Sequence, residues 1–491
     1  MYKIDNQITI SEFMSPFGKL DPNNRWVRMS ELIPWRHFEK QYSGQFCADN
    51  GAPAILYRMA MGALIIKQQT EHSDEEVLQD ILENPYMQFF IGLHEFTTKA
   101  PFSSSSMTNF RKYISYEMMK EVNEYMFGTA EDNDDVDGDN GESSSSGNQD
   151  DMGNDDNSQE ESRNSGTLML DATCAPANIA YPTDINLLNE AREKLEVMID
   201  TLHPQSGRKL KPRTYRKAAR KQYLEFVMQP KPGIEKVRKA IGQQLSYVSR
   251  NIKHIDELLS KVGNEVLSSN QQKWLKTIRT LYEQQVYMHE NKTHSVQNRI
   301  CSIDQPHVRP IVRGKSRAPV EFGAKVSISL INGYNFIDRL GWDAYNEESE
   351  LIPAVEAYKK RYGCYPERVL ADQLYRNTNN RKYCKKHGIR LSGPRLGRPP
   401  KESDVDALNQ MARDSADRSA IEGKFGEGKN HYGLNRIMAR LQETSETVIA
   451  IAFFCMNLKR KLRVLLRLFF SDYIFGFIEL FLLKYGFLGK P

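Results

Sequence analysis

The 491-residue sequence lacks the marks of an exported or disulfide-stabilised protein. Its six cysteines lie far apart and form no CxxC pair, which argues against a disulfide framework or a zinc ribbon. The N-terminus has no apolar core of the kind that a secretory signal needs. The longest charge-free apolar run, residues 447–458, is shorter than the roughly 20 residues that span a bilayer. These absences predict a protein of the reducing cytosol without a membrane segment.

The sequence also has little net charge, because one acidic segment masks a basic remainder. The formal charge is +4, yet residues 131–161 contain thirteen Asp and Glu and no Lys or Arg, so the rest of the chain carries +17. Asn133, Asp135 and Asp137 match early positions of a calcium loop, but Ser144 stands where such a loop needs Glu. We therefore interpret residues 129–166 as a disordered acidic linker. The basic remainder predicts a polyanionic partner.

The first 128 residues show helical periodicity. Ser73 and Glu76 form a capping box at the start of one helix. Several short helices are compatible with a helix-turn-helix DNA-binding domain, although any helical bundle has this pattern. We expect an all-α N-terminal domain over residues 1–128.

Residues 187–299 read as long charged helices that contain a basic segment with interleaved Tyr215 and Tyr223. A second basic stretch follows at residues 309–317. Such clusters suit a surface that follows a phosphate backbone, although a charge run is often only a solvated helix face. The candidate DNA-contacting residues are Lys209, Lys211, Arg213, Arg216, Lys217, Arg220, Lys221, Arg309, Arg313, Lys315 and Arg317.

Strand patterns flank this helical block. The run before Asp171 is apolar, and later runs meet at Asn332 and Gly333, a hairpin turn pair. The order is strand, helical insertion, two strands, helix, strand, helix, strand and helix, which predicts an α/β fold with a mixed sheet. We assign residues 167–186 and 300–458 to this domain, 187–299 to an insertion within it, and 459–491 to an amphipathic helical tail.

Two aspartates end apolar strand patterns, Asp171 after LML and Asp372 after RVLA. Side chains at the carboxyl ends of strands project into the crevice where α/β proteins bind ligands. Either residue alone is more simply a turn-forming Asp, and Asp184 and Glu321 are weaker alternatives. Together, Asp171 and Asp372 are candidate metal ligands.

A third acid lies in a helical segment between two cations. Arg418, Glu422 and Lys429 project within about 40° on one helix face. Glu427 is an alternative acid that points away from them, and the simpler reading is a solvent-facing ion-pair ladder. The nearby Gly423, Gly426 and Gly428 weaken a helix, and close approach of nucleic acid would explain them.

These residues resemble the DDE transposases of bacterial insertion sequences whose last catalytic block is Tyr, Arg, Glu and Lys. Asp171, Asp372 and the spacing of Arg418, Glu422 and Lys429 match that pattern, and Ser415 stands at the position of the tyrosine. The resemblance covers most of the chain outside the acidic linker. It implies an RNase H-like mixed-sheet catalytic core with a large helical insertion, preceded by an all-α DNA-binding domain.

The same resemblance implies a function. Asp171, Asp372 and Glu422 are expected to hold two Mg²⁺ ions, for which Mn²⁺ can substitute, while Arg418 and Lys429 grip phosphates. The substrates are expected to be double-stranded element ends and target DNA, bound by a homodimer at the nucleoid in the bacterial cytoplasm. Two alternatives stay open: a catalytically inactive DNA-binding protein, favoured by Ser415 and the acidic linker, and a nuclease without strand transfer.

Overall fold

The computed structural model describes residues 7–47, 53–128, 163–312, 320–393 and 405–484, with no side-chain description for residues 407 and 467–484. The predicted acidic linker therefore lies outside the described residues except for its last four positions. Arg313, Lys315 and Arg317 also lie outside them.

The described N-terminal region consists of seven helices joined by turns and loops. The predicted capping box is present, with Glu76 N–H donating to Ser73 Oγ at 3.2 Å and Ser73 N–H donating to Glu76 Oε2 at 2.8 Å. Asn84 caps the following helix, which begins at Pro85, a residue suited to a first helical position. The helices are α1 Arg25–Leu32, α2 Trp35–Ser43, α3 Tyr57–Thr70, α4 Asp74–Glu83, α5 Pro85–Phe90, α6 Ser106–Tyr113 and α7 Tyr116–Phe127.

A six-stranded mixed sheet forms the centre of the molecule. β1 pairs antiparallel with β3 and parallel with β5, and β3 pairs on its other edge with both β2 and β4. β6 continues the sheet parallel to β5. The strands are β1 Thr167–Pro176, β2 Arg309–Val312, β3 Val320–Ile331, β4 Tyr334–Gly341, β5 Arg368–Ala371 and β6 Arg390–Leu391.

The sheet confirms the predicted hairpin and corrects two details. Asn332 and Gly333 have φ values of 50° and 75° between β3 and β4, as a two-residue hairpin turn requires. The first strand does not end at Asp171 but continues to Pro176, because β3 pairs with it along that length. Arg309–Val312, interpreted from sequence only as a basic stretch, forms the additional edge strand β2.

Four helices lie between β1 and β2 and have their own core. Leu195, Ile199, Val248, Ile255 and Ile278 are fully buried within it. The helices are α8 Asp184–Leu202, α9 Arg216–Val227, α10 Ile234–Val262 and α11 Ser269–Glu290.

The remaining helices are α12 Leu351–Tyr362, α13 Thr378–Lys386, α14 Val405–His431 and α15 Gln442–Lys484. α15 runs unbroken through the boundary predicted at residue 458, so the core helix and the tail helix are one element. Its buried Asn457 donates to Asn123 Oδ1 of α7 at 2.9 Å and to Asn335 O of β4 at 2.8 Å. The N-terminal helices thus share one core with the sheet. Among the described helices, none is long and apolar enough to cross a bilayer.

Candidate active site

Asp171 and Asp372 occupy neighbouring positions on two parallel strands. Leu170 of β1 pairs in register with Ala371 of β5, and an aspartate follows each of these residues in the chain. The backbones of Asp171 and Asp372 therefore lie near each other, and the charge of Asp372 acts on Asp171. Asp171 lies within β1 and is partly buried, whereas Asp372 follows the last residue of β5 and is exposed.

Burial and neighbouring acids disfavour the charged form of Asp171. The pKa of Asp171 is raised to about 6, mainly by burial and to a smaller extent by the charges of Glu347 and Asp372, while a hydrogen bond from the backbone and the charge of Arg418 oppose the shift. That bond runs from Ala172 N–H to Asp171 Oδ1 at 2.8 Å. The charged form of Asp171 is therefore disfavoured chiefly because the carboxylate is partly removed from water.

Asp372 begins a single 3-10 turn, Gln373–Tyr375. Its carboxylate accepts a hydrogen bond from Gln373 N–H at 2.6 Å, and Tyr375 N–H donates to its carbonyl at 3.0 Å. The capping interaction fixes the chain direction as it leaves β5 and leaves Asp372 accessible to solvent.

Helix α14 packs against β1 and β5 and carries the third predicted acid. Ile421 and Phe425 are buried at this contact. At 100° per residue, Arg418, Lys429 and Glu422 lie about 20°, 40° and 60° from Phe425 on the same side of the helix. All three therefore project from the flank of the face that packs on the sheet, as their spacing predicts.

A buried ion-pair cluster attaches α14 to the edge of the sheet. Asp414, only 5 % exposed, accepts bidentate hydrogen bonds from Arg390 of β6 at 2.6 and 2.9 Å. Arg368 of β5 donates to Asp417 Oδ2 at 2.7 Å and lies 3.6 Å from Asp414. Burial would raise the pKa of Asp414, but the hydrogen bonds from Arg390 and Gln410 hold it below its usual value. No sequence motif indicated this cluster.

Glu422 is turned toward Arg418 on its own helix, with 3.2 Å between Oε1 and Nη2. Its side chain is 58 % exposed. Within the part of the chain that the structure describes, no three acidic, histidine or cysteine side chains are gathered closely enough to hold a metal ion. The acids are thus arranged as two halves, Asp171 with Asp372 on the sheet and Glu422 on the helix, with Arg418 between them.

The alternative acids have other partners. Asp184 Oδ1 accepts hydrogen bonds from Arg299 and Gln285, both at 2.7 Å. Glu427 pairs with Lys424 at 3.1 Å. Asp184 and Glu427 are therefore held in other ion pairs. Glu422, in contrast, is an exposed acid beside Arg418 on α14.

Asp200 of α8 pairs with two cations of the predicted basic segment, whereas other cations of the segment are exposed. Arg216 donates to this carboxylate at 2.7 and 3.1 Å, and Lys211 also pairs with it. Burial raises the pKa of Asp200, but these hydrogen bonds outweigh it and leave the pKa lowered. The charges of Lys211 and Arg216 are therefore partly neutralised within the insertion. Lys209, Arg213 and Lys217 are exposed.

A cavity of about 710 Å³ lies between the insertion and the β2–β3 edge of the sheet. Tyr181, Phe226, Arg299 and Phe322 are among its lining residues. None of the three predicted acids lines it, so it is separate from the candidate site.

Two family models match parts of this chain. One, described as "Transposase DDE domain", matches residues 369–459, which include Asp372, Arg418, Glu422 and Lys429. The other, described as "Transposase domain (DUF772)", matches residues 15–113, which contain helices α1–α6. Asp171 and the helical insertion lie outside both matches.

A curated relative, "Uncharacterized protein ORF8 in nfe locus" from Rhizobium meliloti, is 37 % identical over 103 residues. The alignment covers 21 % of this chain and 49 % of that protein, so the chain spans about half the length of the relative it matches. No solved structure matches this chain.

Proposed function

We propose that this chain is a DDE transposase of an insertion sequence, and that it binds the ends of its element and cuts and rejoins DNA at Asp171, Asp372 and Glu422. The observation that supports the proposal is the register of β1 and β5, in which the residues just before the two aspartates pair, together with the packing of the helix that bears Glu422 and Arg418 on both strands. The strand order β4, β3, β1, β5, β6, in which β3 alone runs antiparallel to the other four strands, supports an RNase H-like core.

The donor atoms fit a divalent cation. Mg²⁺ prefers carboxylate oxygens and commonly keeps several waters while binding one or two carboxylates together with substrate phosphates. Asp171 and Asp372 provide such a pair, and a bound cation would favour the charged form of Asp171, whose pKa burial raises. Two Mg²⁺ ions held by Asp171, Asp372 and Glu422, or Mn²⁺ in their place, would supply charge neutralisation at the scissile phosphate and activation of the attacking oxygen.

The cations of α14 have separate roles in this scheme. Arg418 faces both halves of the site, since its charge acts on Asp171 and its guanidinium pairs with Glu422. It thereby limits repulsion among the acids before substrate binds, and its fork of donors suits a bidentate phosphate contact once DNA is present. Lys429 lies on the same flank, where it would hold an adjacent phosphate.

The exposed Lys209, Arg213 and Lys217 of the insertion form a surface for the DNA backbone. Lys211 and Arg216 would contribute less, because each shares Asp200. Arg313 and Lys315 belong to the same proposal on sequence grounds alone. We further propose that a homodimer synapses two element ends at the nucleoid in the bacterial cytoplasm.

Cleavage of end DNA tests the assignment. Duplexes from the regions flanking the gene are incubated with the full chain and Mg²⁺, and both nicked and joined products are measured. Asp171→Asn, Asp372→Asn and Glu422→Gln should each lower cleavage at least about 100-fold, as expected for loss of a preorganised charged group. Glu427→Gln is the matched control, because Glu427 pairs with Lys424. Unchanged cleavage by all three variants would contradict the proposal.

A second candidate is a DNA-binding protein of transposase descent without catalysis. Ser415, exposed on α14, stands where related enzymes carry tyrosine. Specific binding of flanking DNA with no Mg²⁺-dependent nicking, also after Ser415→Tyr, would favour this candidate. Nicking without joined products would instead indicate a nuclease.

A further inference from the structure

A second cavity, of about 420 Å³, lies where the N-terminal helices meet α14 and α15. Residues of α1 and α3 line one side of it, and the end of α14 together with four residues of α15 line the other. Gln68 of α3 donates from Nε2 to Tyr432 O at 2.5 Å, which ties α3 to the end of α14 beside the cavity. The volume lies in the range of pockets that bind small ligands.

Three cations line this cavity, Arg25 of α1 and Lys459 and Arg463 of α15. Within the part of the chain that the structure describes, none of the three forms an ion pair. Arg25 and Arg463 are exposed. The Lys459 ammonium lies 5.7 Å from the centre of the ring of Tyr432, a buried residue of the cavity wall. The three charges are therefore available to a ligand.

Negative charge at the cavity is smaller than this positive charge. Among the described lining residues, Glu71 alone carries a carboxylate. Helices α3 and α14 also end beside the cavity, and each helix C-terminus contributes about −0.5 of a charge. Glu71 and the two helix ends together leave a net charge of about +1 when His431 is neutral. An anion is therefore the ligand that the cavity favours.

We propose that this cavity holds a phosphate group of a DNA backbone between the N-terminal helices and the helices α14 and α15. The inference rests on the proposed function, which makes DNA the substrate, and adds a contact outside the three acids. Arg25 would hold the phosphate from one side, and Lys459 and Arg463 from the other. Guanidinium groups suit this role because their planar donors match two phosphate oxygens at once.

The cavity is separate from the proposed catalytic acids. His431, which ends α14 and lines the cavity, follows Glu422 by nine residues. Nine residues advance a helix by about 14 Å and turn it by about 180°. A phosphate in the cavity is therefore not the one that is cut. Loss of this contact should weaken DNA binding without slowing cleavage at saturating DNA.

DNA binding without Mg²⁺ tests the contact. Duplexes from the regions flanking the gene are titrated with the full chain at several salt concentrations, and fluorescence anisotropy gives the affinity. The double variant Lys459→Gln/Arg463→Gln should weaken binding about tenfold at low salt. It should also lower the slope of log affinity against log salt by about 1, as expected for one lost phosphate contact.

The matched control is Lys273→Gln/Lys276→Gln, which removes the same charge from two exposed positions of α11. Its DNA affinity should stay within about twofold of the unaltered chain, because a distant change in net charge is screened. Thermal unfolding is measured for both double variants. A lower melting temperature with unchanged DNA affinity in Lys459→Gln/Arg463→Gln would mean that these cations only offset the helix ends, which overturns the inference.

A free phosphorylated molecule is the other source of the same chemistry. Binding of deoxythymidine monophosphate to the unaltered chain and to Lys459→Gln/Arg463→Gln is measured by calorimetry. Nucleotide binding that this variant loses, with its DNA affinity unchanged, would overturn the assignment to DNA.

The outcomes also distinguish this inference from the proposed function. Weaker DNA binding by Lys459→Gln/Arg463→Gln supports the contact, whether or not the unaltered chain cuts DNA. Unchanged binding by this variant, with cleavage that depends on Asp171, Asp372 and Glu422, overturns only the contact. An unaltered chain that does not bind the duplexes overturns both the contact and the proposed binding of element ends.

Discussion

The two halves of the candidate site are held in place by different forces. Asp171 and Asp372 are fixed by strand pairing, because β1 and β5 share a hydrogen-bond ladder in one register. Arg418, Glu422 and Lys429 depend on how α14 docks on that sheet, through buried Ile421 and Phe425 and the ion pairs of Asp414 and Asp417.

The difference matters because a ladder tolerates little displacement, whereas a helix docked by side chains can shift as a unit. A one-residue slip of β1 would turn Asp171 to the other face of the sheet. A shift of α14 would change the distance from Glu422 to the aspartates while the sheet stayed intact.

Breaking the ion pairs that attach α14 to the sheet is expected to separate the two halves most clearly in stability and amide exchange. Asp414→Asn leaves Arg390 and Arg368 without their shared carboxylate and should lower the free energy of unfolding by about 1 to 2 kcal/mol, less than for a fully buried pair, because these arginine side chains are 42 % and 28 % exposed and regain water. Urea denaturation measures the loss, and amide exchange should quicken in residues 405–431 more than in β1 and β5.

Asp417→Asn is the matched control, since Asp417 is 40 % exposed and meets only Arg368 among the ion pairs of the described residues. It should cost less than about 1 kcal/mol. Equal losses of unfolding free energy in the two variants would contradict this expectation. So would amide exchange that quickens as much in β1 and β5 as in α14, because the helix and the sheet would then unfold as one unit.

The partial burial of Asp171 in the sheet half is expected to make the stability of the folded protein depend on pH. The folded-state pKa of Asp171, about 6, is above the ordinary value of 3.8, so the folded protein binds this proton more tightly than the unfolded chain. Stability from this group is present below about pH 4 and is lost as pH rises through 6. In EDTA, Asp171→Asn should therefore be more stable than the unaltered chain by about 1 to 3 kcal/mol at pH 7.5 and equal to it near pH 4.

Asp372→Asn tests whether burial causes this difference. Asp372 is exposed, and its replacement should change stability by less than about 0.5 kcal/mol at either pH. Urea midpoints at pH 4 and 7.5 measure all three proteins. A stability gap for Asp171→Asn that does not vary with pH would contradict the assignment of a raised pKa.

The sheet half was largely predictable from sequence. Runs of three apolar residues before each aspartate, together with the Asn332–Gly333 turn, are local signals that the structure follows. The predicted end of β1 was wrong because the apolar run was interpreted as a strand that ends at Asp171. Its strand continues because the long β3 supplies pairing partners up to Pro176, which no local pattern encodes.

For the helix half, the sequence predicted which residues lie on one side of the helix but not how the helix docks on the sheet. Residue spacing correctly placed Arg418, Glu422 and Lys429 on one flank of a helix. The docking of that helix depends on Arg390 and Asp414, separated by 24 residues, and on contacts with a strand more than 200 positions earlier in the chain. The sharing of Asp200 by Lys211 and Arg216 was missed for the same reason, since charge counts carry no information about partners.

Smaller effects are expected at the glycines of α14. A Cβ added at Gly423 or Gly426 would meet no atom within 4 Å, whereas at Gly428 it would meet Leu434 Cδ1 at 2.7 Å. Gly423→Ala and Gly426→Ala should each stabilise the protein without DNA by about 0.5 to 1 kcal/mol. Gly428→Ala, the contrasting variant, should destabilise it.

If DNA approaches the bare helix beside Glu422, Gly426→Ala should also weaken DNA binding although it raises stability. Fluorescence anisotropy with flanking DNA measures the affinity. Unchanged affinity in both exposed variants would mean that these glycines do not serve a close approach.

The smallest change in stability is expected at Arg418, whose charge acts on Asp171 and whose guanidinium pairs with Glu422. Its replacement should instead change how the stability depends on pH. Loss of its pair with Glu422 in Arg418→Gln should cost only about 0.3 to 0.5 kcal/mol, as for other helical pairs at this spacing. Because Arg418 lowers the pKa of Asp171, its removal should raise the pH at which the stability gap produced by Asp171→Asn levels off and should enlarge that gap at pH 8, while the onset of the gap stays near pH 4. The stability gap between Arg418→Gln and the double variant Arg418→Gln/Asp171→Asn, measured by urea unfolding from pH 4 to 8, reports this shift. Arg413→Gln, an exposed change on the same helix, should leave the pH profile in place, and a profile that moves equally in both variants would show that Arg418 acts only through net charge.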